Sequence, residues 1–233
     1  MSKKLTVVLG AGASHDAVAS EESVLDGNLR PPLVSDVFSK NFRKILANYP
    51  KANTLSSMIR RRLARTESLE SVLRDLSQSE EEHIIRQFQQ LPFYLQELFG
   101  KISAGFAIRG DNYNILINSL LTQEYEKVAF VTLNYDLLLD SALAEISNVA
   151  PKGMDFYYRS DLKWMLVKLH GSVNWGRMIR GASSEFTELK EILRILSHIR
   201  VSDDILGPVE LLASYQERVR AHSIYHPTLV VPV

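Results

Sequence analysis

No cysteine occurs among the 233 residues, so disulfides and thiolate metal sites are excluded and a secreted, disulfide-stapled fold gains no support. Neither sign of charge is in excess: 27 Lys and Arg face 27 Asp and Glu, for a formal net charge of zero. A neutral chain does not advertise broad binding to nucleic acid or to a membrane surface. Long apolar runs are missing as well. Leu5–Leu9 follows Lys3 and Lys4, but glycine cuts it off, which is too short for a signal peptide. No other apolar stretch is long enough to span a bilayer. The expectation is a soluble, cytoplasmic protein. There is no evident repeat or low-complexity tract. The only basic cluster, Arg60, Arg61, Arg62 and Arg65, runs into Glu67 and Glu70 and reads as a solvated helix face. Contact with phosphate or nucleic acid is the minority reading.

What is present suits one sizeable core with room for a smaller lobe, since 45% of the residues are hydrophobic. Leu5–Leu9 is β-branched and apolar on both faces, which predicts a buried parallel strand ending at Gly10. Ala129–Leu133 repeats the pattern and ends at Asn134-Tyr135-Asp136. Met165–Leu169 repeats it again and ends at His170-Gly171. Thr228–Val233 is a fourth candidate strand and Asp155–Tyr158 a weaker fifth. Helical spacing separates them, so the predicted class is α/β with a mainly parallel sheet.

Much helix-patterned chain lies between the first two strands. Ser35 is placed to cap a helix through Val37, Phe38, Phe42, Ile45 and Leu46 that Pro50 ends. Leu55–Leu63 and Leu69–Leu76 carry i, i+3/i+4 apolar spacing. Ile84–Phe106 has Pro92 at a break or first turn, and Tyr113–Leu121 precedes the second strand. This is too long for a simple crossover, and it predicts a helical lobe inserted over about residues 30–125 of a single domain, 1–233. Two further helices are expected near Phe186–Ile199 and Val209–Ala221. A buried parallel strand rarely closes a domain, so the polypeptide is expected to continue past Val233.

Three strand ends carry polar residues, and open α/β sheets bind ligands at that edge. Gly10-Ala11-Gly12-Ala13-Ser14 permits a tight turn and close approach of a pyrophosphate to the main chain. A helix starting near Ser14 would add free N–H groups and a dipole that favours an anion. Taken alone, G-x-G is equally an ordinary strand-to-helix turn. His15 stands where a dinucleotide fingerprint has its third glycine, and no acidic residue ends a clear second strand about 20 residues on, which disfavours a dehydrogenase. Asp136 reads well as the cap of a helix Leu137–Ile146, an account that explains Asn134 less well. His170 faces the same edge. The other histidines (His15, His83, His198, His222, His226) have the ordinary structural reading. Asn174-Trp175 either flanks the cleft or packs a loop.

These segments in order resemble the signatures of bacterial sirtuin-like domains. They are Val8–Ser14, Thr132-Leu133-Asn134-Tyr135-Asp136 and Lys168-Leu169-His170-Gly171-Ser172. The resemblance extends to Pro31-Pro32-Leu33, Glu70-Ser71-Val72-Leu73 and the late Pro227…Val231-Pro232. It implies a Rossmann-like NAD domain with a helical insertion. It also implies an NAD glycohydrolase that gives nicotinamide and ADP-ribose during defence against phages. Such domains act as oligomers beside a partner ATPase or an Argonaute-type, nucleic-acid-guided sensor. By that analogy Asn134 holds the nicotinamide ribose and the attacking water, His170 is the base, and Asp136 orients the asparagine loop. Gly10, Ala11, Gly12, Ala13 and Ser14, with Thr132, hold the cofactor. Histone-deacylating sirtuins carry four zinc-binding cysteines; this chain has none, so such a zinc is excluded and deacylation is disfavoured. The family also places a later strand and glycine-serine turn at the adenosine, and no such segment follows Val233 here.

The chemistry fits those residue types. Nicotinamide leaves an N-glycosidic pyridinium as a neutral base, so no general acid is required, unlike ordinary glycosides. An amide such as Asn134 both donates and accepts. A neutral histidine accepts a proton near neutral pH, help typically worth about 100- to 10,000-fold in rate. Two other readings stay open: an NAD-dependent protein deacylase, and a non-enzymatic sensor of NAD or ADP-ribose.

Overall fold

The computed structural model describes residues 3–17, 30–106 and 111–229, with only the backbone for Glu70 and Asp111. The chain divides into two compact units, Met1–Leu33 with Phe99–Ser172, and Val34–Leu98 with Val173–Val233.

The first unit holds a three-stranded parallel sheet in the order β1 (Lys4–Leu9), β2 (Lys127–Thr132) and β3 (Trp164–Lys168). Its inner rows are in register, with Leu5 beside Val128 and Trp164, and Val7 beside Phe130 and Leu166. Val128, Phe130, Trp164 and Leu166 are buried, and the aromatic rings of Phe156 and Trp164 meet edge to face at 5.3 Å. The expected burial of both faces is not met. Along β1 every second residue is exposed, and Val8 keeps 65% of its surface. The first unit also contains α1 (Ala11–Asp16).

The class is therefore α/β, with a parallel sheet compatible with a Rossmann-like arrangement. Several local expectations are corrected. Helix α1 begins directly after Gly10 rather than near Ser14, and at six residues it carries little dipole. Asp155–Tyr158 is no strand; Met154–Tyr157 forms a 3-10 turn in which Phe156 and Tyr157 are buried. No single helix follows Ser35: short 3-10 turns Val34–Asp36 and Lys40–Phe42 lead into α2 (Arg43–Leu46). Pro50 starts α3 (Pro50–Leu63) instead of ending its predecessor, which suits a residue with no N–H to bond.

Helix α4 (Leu69–Ser77) follows the sequence closely. Ser68 caps it by accepting from Ser71 N–H at 3.1 Å, and Val72, Leu73 and Leu76 are buried at helical spacing. The Ile84–Phe106 pattern is two helices, α5 (Glu82–Phe88) and α6 (Leu91–Phe106), with Pro92 in the first turn of the second. Helix α7 (Asp111–Leu121) packs on α8 (Leu138–Ser147) in the first unit.

The second unit contains a four-stranded sheet that the sequence did not announce, ordered β5-β4-β7-β6. Its strands are β4 (Gly171–Ser183), β5 (Leu206–Leu211), β6 (Val219–Arg220) and β7 (Ser223–Leu229). β4 pairs with β5, and β6 with β7, antiparallel. Thr228 and Leu229 thus end a strand of this sheet instead of adding to the parallel one, and residues 230–233 lie outside the described residues. The helix expected over Val209–Ala221 is replaced by β5 and β6. The one expected near Phe186–Ile199 is shorter, α9 (Leu189–Leu196). A buried cluster ties this unit together: Tyr49 Oη donates to Glu97 Oε2 at 2.5 Å, and Arg218 Nη2 donates to Tyr49 Oη at 3.0 Å.

Candidate functional site

Register places the three predicted segments side by side. Leu9 faces Thr132, and Thr132 faces Lys168, at the carboxyl ends of β1, β2 and β3. The ladder runs one step further, because Leu133 N–H donates to Leu9 O at 3.1 Å and Leu169 N–H to Thr132 O at 3.0 Å. Gly10, Asn134 and His170 therefore all leave the sheet at one rim.

Asn134 is 9% exposed and held from three sides. Its N–H donates to Thr132 Oγ1 at 3.1 Å; its Nδ2 donates to Gly10 O at 2.9 Å and to Ser14 Oγ at 2.8 Å. A carbonyl only accepts, so the atom beside Gly10 O must be the amide nitrogen, and the side chain has one orientation. Thr132 and Ser14, predicted to touch a ligand, are 1% and 2% exposed, and their hydroxyls are turned to Asn134. Ser14 Oγ also lies 3.0 Å from Tyr113 Oη.

Gly10 has φ −107°, and a Cβ at Gly10 or Gly12 would meet no described residue within 4 Å. Gly12 sits inside α1, where glycine costs about 1 kcal/mol relative to alanine. What the two residues provide is open space against the main chain. Ala11 and Ala13 lie in the same short helix.

Asp136 is buried, and burial pushes its carboxyl up. The Lys168 ammonium, the Ser14 hydroxyl and Leu138 N–H, at 3.1 Å, pull the other way. The last contact ties Asp136 to the start of α8, one residue later than the predicted cap. Lys168 has no side-chain exposure; its Nζ donates to Asp140 Oδ2 at 2.8 Å and to Asp136 O at 2.5 Å. Asp140 Oδ1 accepts from Tyr157 Oη at 3.0 Å. Sequence reasoning assigned no role to Lys168, Asp140, Tyr157 or Tyr113. One signal was there to read: a lysine at an inward strand position demands a buried counter-charge.

His170 sits in the turn between β3 and β4, followed by Gly171 at φ 80°, a left-handed conformation that glycine adopts without strain. Its ring lies 6.1 Å from that of Tyr135, which in turn lies 5.4 Å from Phe99. Among the described residues no group hydrogen-bonds to the His170 imidazole, and the Tyr135 ring is its aromatic neighbour.

The remaining candidates lie elsewhere. His15, in the place of a third glycine, uses Nδ1–H to hold Pro31 O at 2.7 Å and anchors the Arg30–Pro31 segment. Arg62 pairs with Glu67 and Asp75, while Arg60, Arg61 and Arg65 are exposed, as a solvated helix face requires. Asn174 and Trp175 are strand residues of β4, Trp175 opposite Leu211. The side chain of Glu70 and the residues Val231 and Pro232 lie outside the described residues. A cavity of about 330 Å³ in the second unit is lined by Phe88, Gln89, Arg177 and His226 among others, and no predicted site residue borders it. No group of three or more His, Asp and Glu gathers as a metal site among the described residues, and no helix there is long and apolar enough to cross a membrane. No protein-family model and no curated protein matches the chain.

Proposed function

We propose that the rim at the ends of β1, β2 and β3 binds NAD and cleaves its nicotinamide–ribose bond, giving nicotinamide and ADP-ribose. The observation that carries this reading is the fixed amide of Asn134. Its nitrogen is spent on Gly10 and Ser14, which leaves the Oδ1 acceptor for a water or a ribose hydroxyl. Beside it, the unobstructed main chain at Gly10 and Gly12 leaves room for a pyrophosphate. In this reading Asn134 aligns the water against C1′ as the ribose gains oxocarbenium character, and His170 takes the proton. Asp136, Lys168 and Asp140 sit beneath and fix the loop. Positioning supplies much of the acceleration, and base help adds about 100- to 10,000-fold. The resemblance to bacterial sirtuin-like domains supports the same reading and extends it to phage defence, self-association and a partner sensor.

One observation favours a second reading. A catalytic base is ordinarily oriented by a third group, and the His170 imidazole has no such hydrogen-bond partner among the described residues. A sensor that binds NAD or ADP-ribose without turnover needs none. Incubating NAD with the full-length chain, and following nicotinamide by chromatography, separates the two. Release by the wild type and its loss in Asn134→Ala is expected. Equal release by both proteins would overturn the proposal, and tight binding without release selects the sensor.

A further inference from the structure

We propose that Tyr113 is a positioning residue which, through Ser14, locks the Asn134 side chain with its acceptor oxygen turned to the ligand. The inference rests on the reading of Asn134 as a ligand-facing group. Tyr113 lies on α7, far from the rim in sequence, yet its hydroxyl is 3.0 Å from Ser14 Oγ, and both residues are buried.

Hydrogen accounting links the three groups. A serine hydroxyl has one hydrogen and two lone pairs. Ser14 Oγ accepts from Asn134 Nδ2 at 2.8 Å and lies 3.0 Å from Tyr113 Oη, a contact in which either hydroxyl can supply the hydrogen. With the Tyr113 hydroxyl in place, Ser14 Oγ is held where it accepts from Asn134. Both amide hydrogens of Asn134 stay committed, one to Ser14 Oγ and one to Gly10 O at 2.9 Å. Oδ1 receives no hydrogen bond from the described residues. The position thus offers an acceptor alone, which selects a ligand hydroxyl, a water or another donor and disfavours an anion.

Tyr113→Phe tests this, because it removes one oxygen and keeps the ring in its place. Losing one hydrogen bond that holds a reacting group predicts a fall of about 3- to 10-fold in kcat for nicotinamide release, with KM for NAD within about twofold. Hydrogen exchange of the Asn134 side-chain amide, read by NMR in the unliganded protein, should quicken. Ser14→Ala, which removes the relay itself, should quicken it further. A merely structural tyrosine would lower thermal stability and leave both amide exchange and kcat unchanged, and that result overturns the proposal. If the wild-type chain releases no nicotinamide, the cleavage reading fails. Amide exchange still decides the role of Tyr113: faster exchange in Tyr113→Phe upholds it, and unchanged exchange refutes it.

Discussion

Replacing Lys168 by methionine should destabilise the protein more than any other single change near the site. The ammonium has no exposure, and its partner Asp140 keeps 4%. Methionine fills much of the same volume but leaves the Asp140 carboxylate without a cation and Asp136 O without its donor. Breaking a buried pair from one side costs about 3–5 kcal/mol. That is a large part of a total near 5–15 kcal/mol, and for a chain of this size it lowers Tm by roughly 6–20 °C. The loss must depend on pH. Asp136 already has its carboxyl raised by burial and held down by Lys168, so removing the cation raises it further. Once the Asp136 carboxyl is protonated less uncompensated charge stays buried, and the penalty shrinks. Urea unfolding followed by circular dichroism at about pH 7 and about pH 4.5 reads both effects. The double variant Lys168→Met with Asp140→Leu should recover most of the loss, since an apolar pair replaces a salt bridge at little cost. A loss under about 1 kcal/mol at neutral pH, or one of equal size at both pH values, would refute the reasoning.

Gly12→Ala should raise thermal stability by up to about 1 kcal/mol, because the position is helical and a Cβ meets no described residue. The same methyl enters the proposed pyrophosphate space, so calorimetry should show affinity for ADP-ribose falling about tenfold or more; unchanged affinity would place the phosphates elsewhere. His170→Ala should abolish turnover with little change in Tm, since no hydrogen bond from the described residues is lost; a large fall in Tm would make the histidine structural. Burial lowers His226 to about 4. Between that value and about 6.5 the unfolded chain holds the extra proton, so stability falls as pH drops through this window, by at most about 3 kcal/mol. His226→Gln should remove that slope from urea titrations, and an unchanged slope would contradict the assignment.

The parallel sheet was legible because its strands carry unbroken β-branched and apolar runs that stop at polar residues, a pattern that Val7, Phe130 and Leu166 realise in register. The antiparallel sheet was not. Val209 to Ala221 carries leucines, valine and arginine at spacings that a helix also satisfies, and short apolar runs do not distinguish the two. The β6–β7 hairpin turns on Ala221 and His222, with φ of 47° and 66°. Such turns are ordinarily signalled by Asn-Gly or Asp-Gly, so nothing in these residue types announced it. At the site, Asn134 and His170 were readable as polar residues at strand ends. Ser14 was readable as a ligand residue but not as the partner of Asn134, and Tyr113, Asp140 and Tyr157 were not readable, because these contacts join segments distant in sequence.

The central claim is that three strand ends form one binding rim. Titrating NAD into the isotope-labelled chain and following backbone amide shifts tests it most directly. The account predicts that Gly10, Gly12, Asn134 and His170 move together along one saturation curve. Shifts confined to residues away from this rim, or no shifts at millimolar NAD, would contradict it.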